Sequence, residues 1–168
     1  MIILGIDVGY ANSGYGFIEA EGSALKLLDF GNIKTVEGMN SAHRLKHIYD
    51  ELIRLVEQFQ PDFIALEEVF FSKNVSSALV VSEAKGVAKL VAAITDREAF
   101  AYTPAQVKQA IVGYGKATKN QVQKMVQVLL KLDDIPRPDH AADALALAIC
   151  HARSYRMLRL HEKYEGKL

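Results

Sequence analysis

The chain has 168 residues, half of them apolar and about a quarter charged, with 20 basic and 20 acidic side chains. That balance fits one soluble globular domain with a sizeable core and excludes a disordered or fibrous chain. No stretch reaches the length of a membrane span, the apolar opening Ile2 to Ile6 is shorter than a signal-peptide core, and the lone Cys150 has no partner for a disulfide. The expectation is therefore a cytoplasmic protein with no membrane partner.

The first third reads as a three-strand meander: Ile2 to Asp7, Gly14 to Glu19, and Leu25 to Thr35, separated by turns rich in Gly, Asn and Ser. From about Ser41, the residues Leu45, Ile48, Leu52, Leu55, Val56 and Phe59 recur at helical spacing, and Pro61 marks the stop. Phe63 to Glu67 is a short, continuously apolar strand of the kind buried on both faces. The helix expected over about 75 to 95 is apolar around nearly all of its circumference, leaving Glu83, Lys85 and Lys89 as its charges. Such a helix buries more than one face, which points to a homodimer interface, the alternative being a central helix of one subunit. A fifth strand, Glu98 to Tyr102, precedes a helix opened by Thr103 and Pro104 in the N-cap then N1 pattern and broken at Gly113. Helices over Asn120 to Leu132 and Asp139 to Arg156 complete the order. It predicts an α/β fold, a five-stranded mixed sheet flanked by helices on both faces. Residues 1–156 form one domain in this reading, and residues 157–168, mixed in charge and without periodicity, are a mobile tail.

Charge is distributed unevenly along this neutral chain. Residues 1 to 100 hold 9 Lys/Arg against 14 Asp/Glu, residues 101 to 168 hold 11 against 6, and Pro104 to Lys131 has five lysines and no acid. A basic surface beside an acidic site suits a phosphodiester substrate, because metals need the carboxylates and the backbone needs the lysines. A merely solvated helix face is the alternative.

Three acidic placements at element ends stand out. Asp7 ends the first strand and Glu67 the fourth, and parallel pairing of these strands brings both carboxylates to one edge. Alternation puts Glu67 on the face of Ala65 and Glu68 on the other face, so Glu67 is assigned to the site and Glu68 to a supporting or solvated role. Small residues at Gly5 and Ala65 leave room for the alanine-rich last helix. His140 and Asp143, three apart, share one face of that helix's first turn, whereas Asp139 is a first-turn acid or cap. Carboxylates gathered without a partner imply divalent cations.

These residues resemble the RuvC Holliday junction resolvases of the RNase H-like nuclease superfamily, over about Met1 to Arg153. The likeness is carried by Leu4-Gly-Ile-Asp7-x-Gly9-Tyr10 with Gly14-Tyr-Gly16, by Gln60-Pro-Asp62 leading to Glu67-x-Val69-Phe70, and by Lys73-Asn74 with Ser77-Ala78-Leu79. Gln106-Val-Lys108-Gln109 and Asp139-His-Ala-Ala-Asp-Ala-Leu145 complete it. The resemblance implies an RNase H-like fold with catalytic and metal-binding positions at Asp7, Glu67, His140 and Asp143. It implies a pair of Mg²⁺ ions per subunit, with Mn²⁺ as a substitute, cutting four-way DNA junctions to leave 5′-phosphate and 3′-hydroxyl nicks in recombination and repair. Phe70 matches an aromatic that stacks on a base near the cut, Lys73 falls in the adjoining motif, and Lys108 and Lys119 match basic residues near the scissile phosphate. A homodimer and a RuvA–RuvB branch-migration complex are the implied partners. Two departures are visible: His140 stands where many members have an aspartate, and Val8 replaces the usual proline. His140 is either a metal ligand or the group that orients the attacking water.

Two rival readings predict different chemistry. A nucleotide-binding fold of the actin and sugar-kinase type uses two glycine turns around its phosphates, and one is evident here. A non-catalytic junction-binding module needs the lysines but has no use for the acids.

Overall fold

The computed structural model describes residues 1–9, 11–36, 38–68 and 75–165, with the side chains of 75–78 and 158–165 left aside. Five strands form one sheet: β1 (Ile2–Asp7), β2 (Asn12–Glu21), β3 (Ala24–Lys34), β4 (Phe63–Glu67) and β5 (Glu98–Tyr102), in the order β3-β2-β1-β4-β5. The first three pair antiparallel, and β4 runs parallel to both β1 and β5. Helices α1 (Ser41–Phe59) and α2 (Val75–Ile94) cover one face; α3 (Pro104–Val112), α4 (Lys119–Leu130) and α5 (Asp139–Glu165) cover the other. This is the mixed sheet with two helical layers that the order of elements predicts.

Local chemistry sets the boundaries. The Asn40 side chain accepts from the His43 N–H to start α1, and Gln60 closes that helix in the left-handed conformation (φ 47°) ahead of Pro61. Thr103 with Gln106, and Thr118 with Gln121, form reciprocal capping boxes at α3 and α4. The second box starts α4 at Lys119, and Lys131 in the left-handed region (φ 54°) ends it at Leu130, slightly ahead of the span expected from periodicity. Strand β2 extends beyond Gly14 to Glu19 at both ends, because its ladder with β3 runs on from Asn12↔Lys34 to Glu21↔Ala24. Helix α5 continues to Glu165 rather than ending near Arg156, so backbone helicity outlasts the apolar pattern that marks it in the sequence.

The core divides at the sheet. Leu4, Ile6, Phe17, Ile64 and Leu66 face α1 and α2, whereas Ile3, Ile18 and Ala65 face α5, whose stretch from Ala144 to Cys150 is fully buried. Close contact with α5 is possible because the opposing strands carry no side chain at Gly5 and Gly14. A methyl group on Gly5 would stand 1.9 Å from the Ala144 carbonyl oxygen, and one on Gly14 2.0 Å from that of His140. Ordinary side chains at either position would push the helix off the sheet.

Deep in α5, His151 is enclosed by the rings of Phe63, Phe100 and Tyr155, with Nδ1 2.7 Å from the Tyr102 hydroxyl and Nε2 buried without a partner. Burial pushes its pKa down from 6.5 to about 4. The Tyr102 hydroxyl and the neutral ring share this hydrogen bond, and burial pushes the tyrosine's own pKa up to about 12.

Two outcomes follow. Gly5→Ala should lower stability by about 3 kcal/mol, the upper part of the usual overpacking range, measured by urea unfolding, because the clash is with helix backbone; parent-level stability would mean that α5 yields freely. Below its ordinary pKa of 6.5 an exposed His151 in the unfolded chain takes a proton that the folded chain refuses until about pH 4, so stability falls as pH drops through this window. Urea midpoints across pH 7 to 4 should show the parent losing up to about 3 kcal/mol more than His151→Phe; parallel curves would refute it.

Candidate active site

The β1–β4 register aligns Gly5 with Ala65 and Ile6 with Leu66, which sets Asp7 and Glu67 side by side at the end of two parallel strands. Their side chains point to the α5 face by the two-residue alternation that assigns Glu67 over Glu68. Glu68 is exposed, and its N–H donates to the Tyr102 carbonyl. The first turn of α5 descends on the same spot and delivers His140 and Asp143. From the third side come Lys108 on α3 and Lys119 at the start of α4. Together with Asp7, Glu67 and Asp143 these lysines line a cleft of about 260 Å³ floored by Val107, Val122 and Ala146.

Each acid already has a positively charged or N–H partner. His140 Nδ1 lies 2.6 Å from Asp7 Oδ2. Lys119 Nζ sits 2.9 Å from Asp143 and 3.5 Å from Asp139, an exposed first-turn acid that also pairs with Arg137. On the opposite side of the sheet end, Lys85 of α2 donates to the Glu67 main-chain carbonyl at 2.9 Å and stands 3.9 Å from its carboxylate.

The electrostatics are those of carboxylates gathered out of water. Burial raises the Glu67 pKa, and the neighbouring Asp7 charge raises it further against the pull of Lys85. Burial likewise raises Asp143, and the hydrogen bond and charge of Lys119 only partly offset it. For Lys119, desolvation acts downward, but its bond and charge contact with Asp143, helped by Asp139, prevail and hold the ammonium above its usual range. Lys85 is pushed below the usual lysine range by burial, with Glu67 opposing.

Three partly desolvated, mutually repelling carboxylates and one imidazole form the kind of oxygen-rich donor set that Mg²⁺ and Mn²⁺ take. Among the described residues no three acidic or imidazole groups stand close enough to share one ion as they are oriented, since His140 holds Asp7 and Lys119 holds Asp143. The donors fit a divalent cation by type, and rotation of the half-exposed His140 and Lys119 would free Asp7 and Asp143 for it.

The structure therefore brings together Asp7, Glu67, His140, Asp143, Lys108 and Lys119. Phe70 and Lys73 lie outside the described residues. Sequence reasoning missed Lys85, which reads as a solvated charge on an apolar helix yet is buried. Its spacing from Ala88 and Ala92, three and seven residues on along the buried stripe of α2, is the signal that locates it. A larger, mostly apolar groove of about 970 Å³ lies elsewhere, between β5, α3 and the later turns of α5.

A family model described as crossover junction endodeoxyribonuclease RuvC matches residues 3–151. The crossover junction endodeoxyribonuclease RuvC of Alkaliphilus metalliredigens is 54% identical over 154 residues, covering 92% of this chain and 94% of its own. Thermus thermophilus RuvC, solved in complex with a Holliday junction substrate, superposes with a TM-score of 0.89 at 35% identity, covering 94% of this chain and 96% of that one. The yeast mitochondrial Holliday junction resolvase shares the fold, with a TM-score of 0.71 at 15% identity and coverage of 99% and 84%. With a family model spanning most of the chain and relatives near half identity over almost its full length, the chain belongs to the RuvC family of crossover junction endodeoxyribonucleases.

Proposed function

We propose that this protein resolves four-way DNA junctions by metal-dependent phosphodiester hydrolysis at the cleft between β1, β4 and the first turn of α5. The observation that carries the reading is the convergence of Asp7, Glu67 and Asp143, from three distant segments, beside Lys108 and Lys119. Asp7, Glu67, Asp143 and His140 would hold two Mg²⁺ ions, with Mn²⁺ able to replace them. Bound there, such a pair supplies a water of lowered pKa and charge stabilisation at the leaving oxygen.

The side chains divide the work by position. Asp7 lies deepest, flanked by Glu67 and His140, and is the natural shared ligand. His140 turns Nδ1 to Asp7, which orients the ring and leaves Nε2 to meet a cation or the attacking water. Lys119, half exposed, can exchange Asp143 for a phosphate oxygen of the substrate. Lys108 lines the same cleft and adds positive charge where a DNA backbone would lie. By the family resemblance, hydrolysis would leave 5′-phosphate and 3′-hydroxyl ends. Phe70 and Lys73, which directly follow the Glu67 strand in sequence, complete the proposed DNA contacts.

A junction has approximate two-fold symmetry, and a two-fold dimer would present two such clefts to two strands. Support comes from α2, whose outer face exposes Leu79 (58%), Leu90 (52%) and Ile94 (56%) on a helix that buries Ala84, Ala88 and Val91 inward. A homodimer through α2 is the proposed assembly, working in the cytoplasm with a RuvA–RuvB complex. Among the described residues no helix is long and apolar enough to cross a membrane.

Asp7→Asn should abolish cleavage of a synthetic four-way junction while leaving binding in chelator within about threefold, because phosphate contacts hold DNA independently of the acids; nicking at the parental rate would remove Asp7 from the mechanism. Leu79→Glu, which places a charge on the exposed apolar face, should sediment as a monomer at concentrations where the parent is dimeric. A variant that stays dimeric moves the interface off α2.

A further inference from the structure

Lys85 is walled in, with its side chain 8% exposed, although nothing in the core itself asks for a charge at this place. Holding an ammonium out of water is costly unless its donors are used, so the groups it reaches identify its role. Its near contact is the main-chain carbonyl of Glu67 at 2.9 Å, with the Glu67 carboxylate at 3.9 Å.

That carbonyl has a particular need. The β1–β4 ladder ends at the Ile6↔Leu66 pair, so the peptide after Glu67 lies beyond it. The Glu68 N–H points to β5, where it donates to Tyr102, and across the same trans peptide the Glu67 carbonyl points the other way. Lys85 takes that carbonyl, while Tyr102 takes the N–H. The last peptide of β4, whose orientation sets where the Glu67 side chain goes, is thereby fixed on both sides.

We propose that Lys85 is a positioning residue of the nuclease, holding the end of β4 so that the Glu67 carboxylate stays beside Asp7 in the cleft. This rests on the assignment of Glu67 to the metal site above. Buried and bonded to main chain, Lys85 reaches the chemistry through the peptide it holds. Its place on α2 also links the helix that carries the exposed apolar face to the active-site strand.

The sign of one measurement separates positioning from simple electrostatics. Removing a buried cation beside Glu67 and Asp7 makes the cleft more negative, which by charge alone tightens cation binding. Loss of positioning does the reverse. Mn²⁺ binding to the full-length protein, followed by electron paramagnetic resonance without DNA, should weaken about 10-fold in Lys85→Met, in line with the usual effect of losing a partner behind a ligand. Junction cleavage at saturating Mg²⁺ should fall by a similar factor, with junction binding in chelator unchanged. Lys85→Arg, which keeps a donor within reach of the carbonyl, should retain the parental circular dichroism and restore cleavage to within about threefold. Glu67→Gln serves as the reference and should lose both Mn²⁺ binding and cleavage. Parental or tighter Mn²⁺ binding in Lys85→Met, or a folded Lys85→Arg that cleaves no better than Met, overturns the proposal while Glu67→Gln remains inactive. If Glu67→Gln itself binds Mn²⁺ and cleaves like the parent, the site assignment has failed instead.

Discussion

The arrangement depends on one contact, the backbone of α5 resting on strand surface left bare by glycines. Gly5 and Gly14 present only hydrogen where other residues would present a Cβ within 2.0 Å of the Ala144 and His140 carbonyl oxygens. Two alanines of α5, Ala144 and Ala148, meet this surface from the helix side. Interiors pack densely and adjust little, so a helix seated this closely has its axial position and rotation fixed by many short contacts. Because His140 belongs both to the seat and to the site, the same contact that builds the core sets the distance from His140 to Asp7.

From that seat the site follows with few further requirements. Parallel pairing of β1 and β4 levels Asp7 with Glu67, and the period of two turns both toward α5. The first turn of α5 must then lie over the strand ends, since the helix is anchored at Ala144 one turn later. Two capped helices, α3 and α4, close the third side. Their capping boxes fix where Lys108 and Lys119 begin relative to Thr103 and Thr118, so the basic wall is placed by local hydrogen bonds rather than by the core.

What was legible in the sequence were the features that repeat or terminate. Alternation separates Glu67 from Glu68, a three-residue interval pairs His140 with Asp143, and small residues at Gly5 and Ala65 announce the close helix. All of these are properties of one segment read against itself. Lys85 was not legible, because its burial depends on where the end of β4 falls in space, and a charge in an apolar helix reads by default as solvated. His151 stayed hidden for a similar reason: its cage of Phe63, Phe100 and Tyr155 is drawn from two strands and its own helix. The continuation of α5 to Glu165 lacks an apolar stripe to mark it, and residue composition alone does not distinguish such a turn from a tail.

The three carboxylates differ in how replaceable their partners are. His140 and Lys119 are each about half exposed, at 44% and 52%, and can swing toward solvent or substrate without opening the core. Lys85 cannot, since its ammonium is enclosed and bonded to backbone. Asp7 and Asp143 therefore have partners that a harder cation can displace, whereas Glu67 keeps its own. In the proposed reaction such a site would hold its charges apart and satisfied while idle, and would give up the Lys119–Asp143 pair as cations and DNA enter, with Glu67 as the fixed reference. That asymmetry follows from the topology: two of the partners come from the starts of helices on the open face, and the third comes from the middle of a helix packed against the closed one.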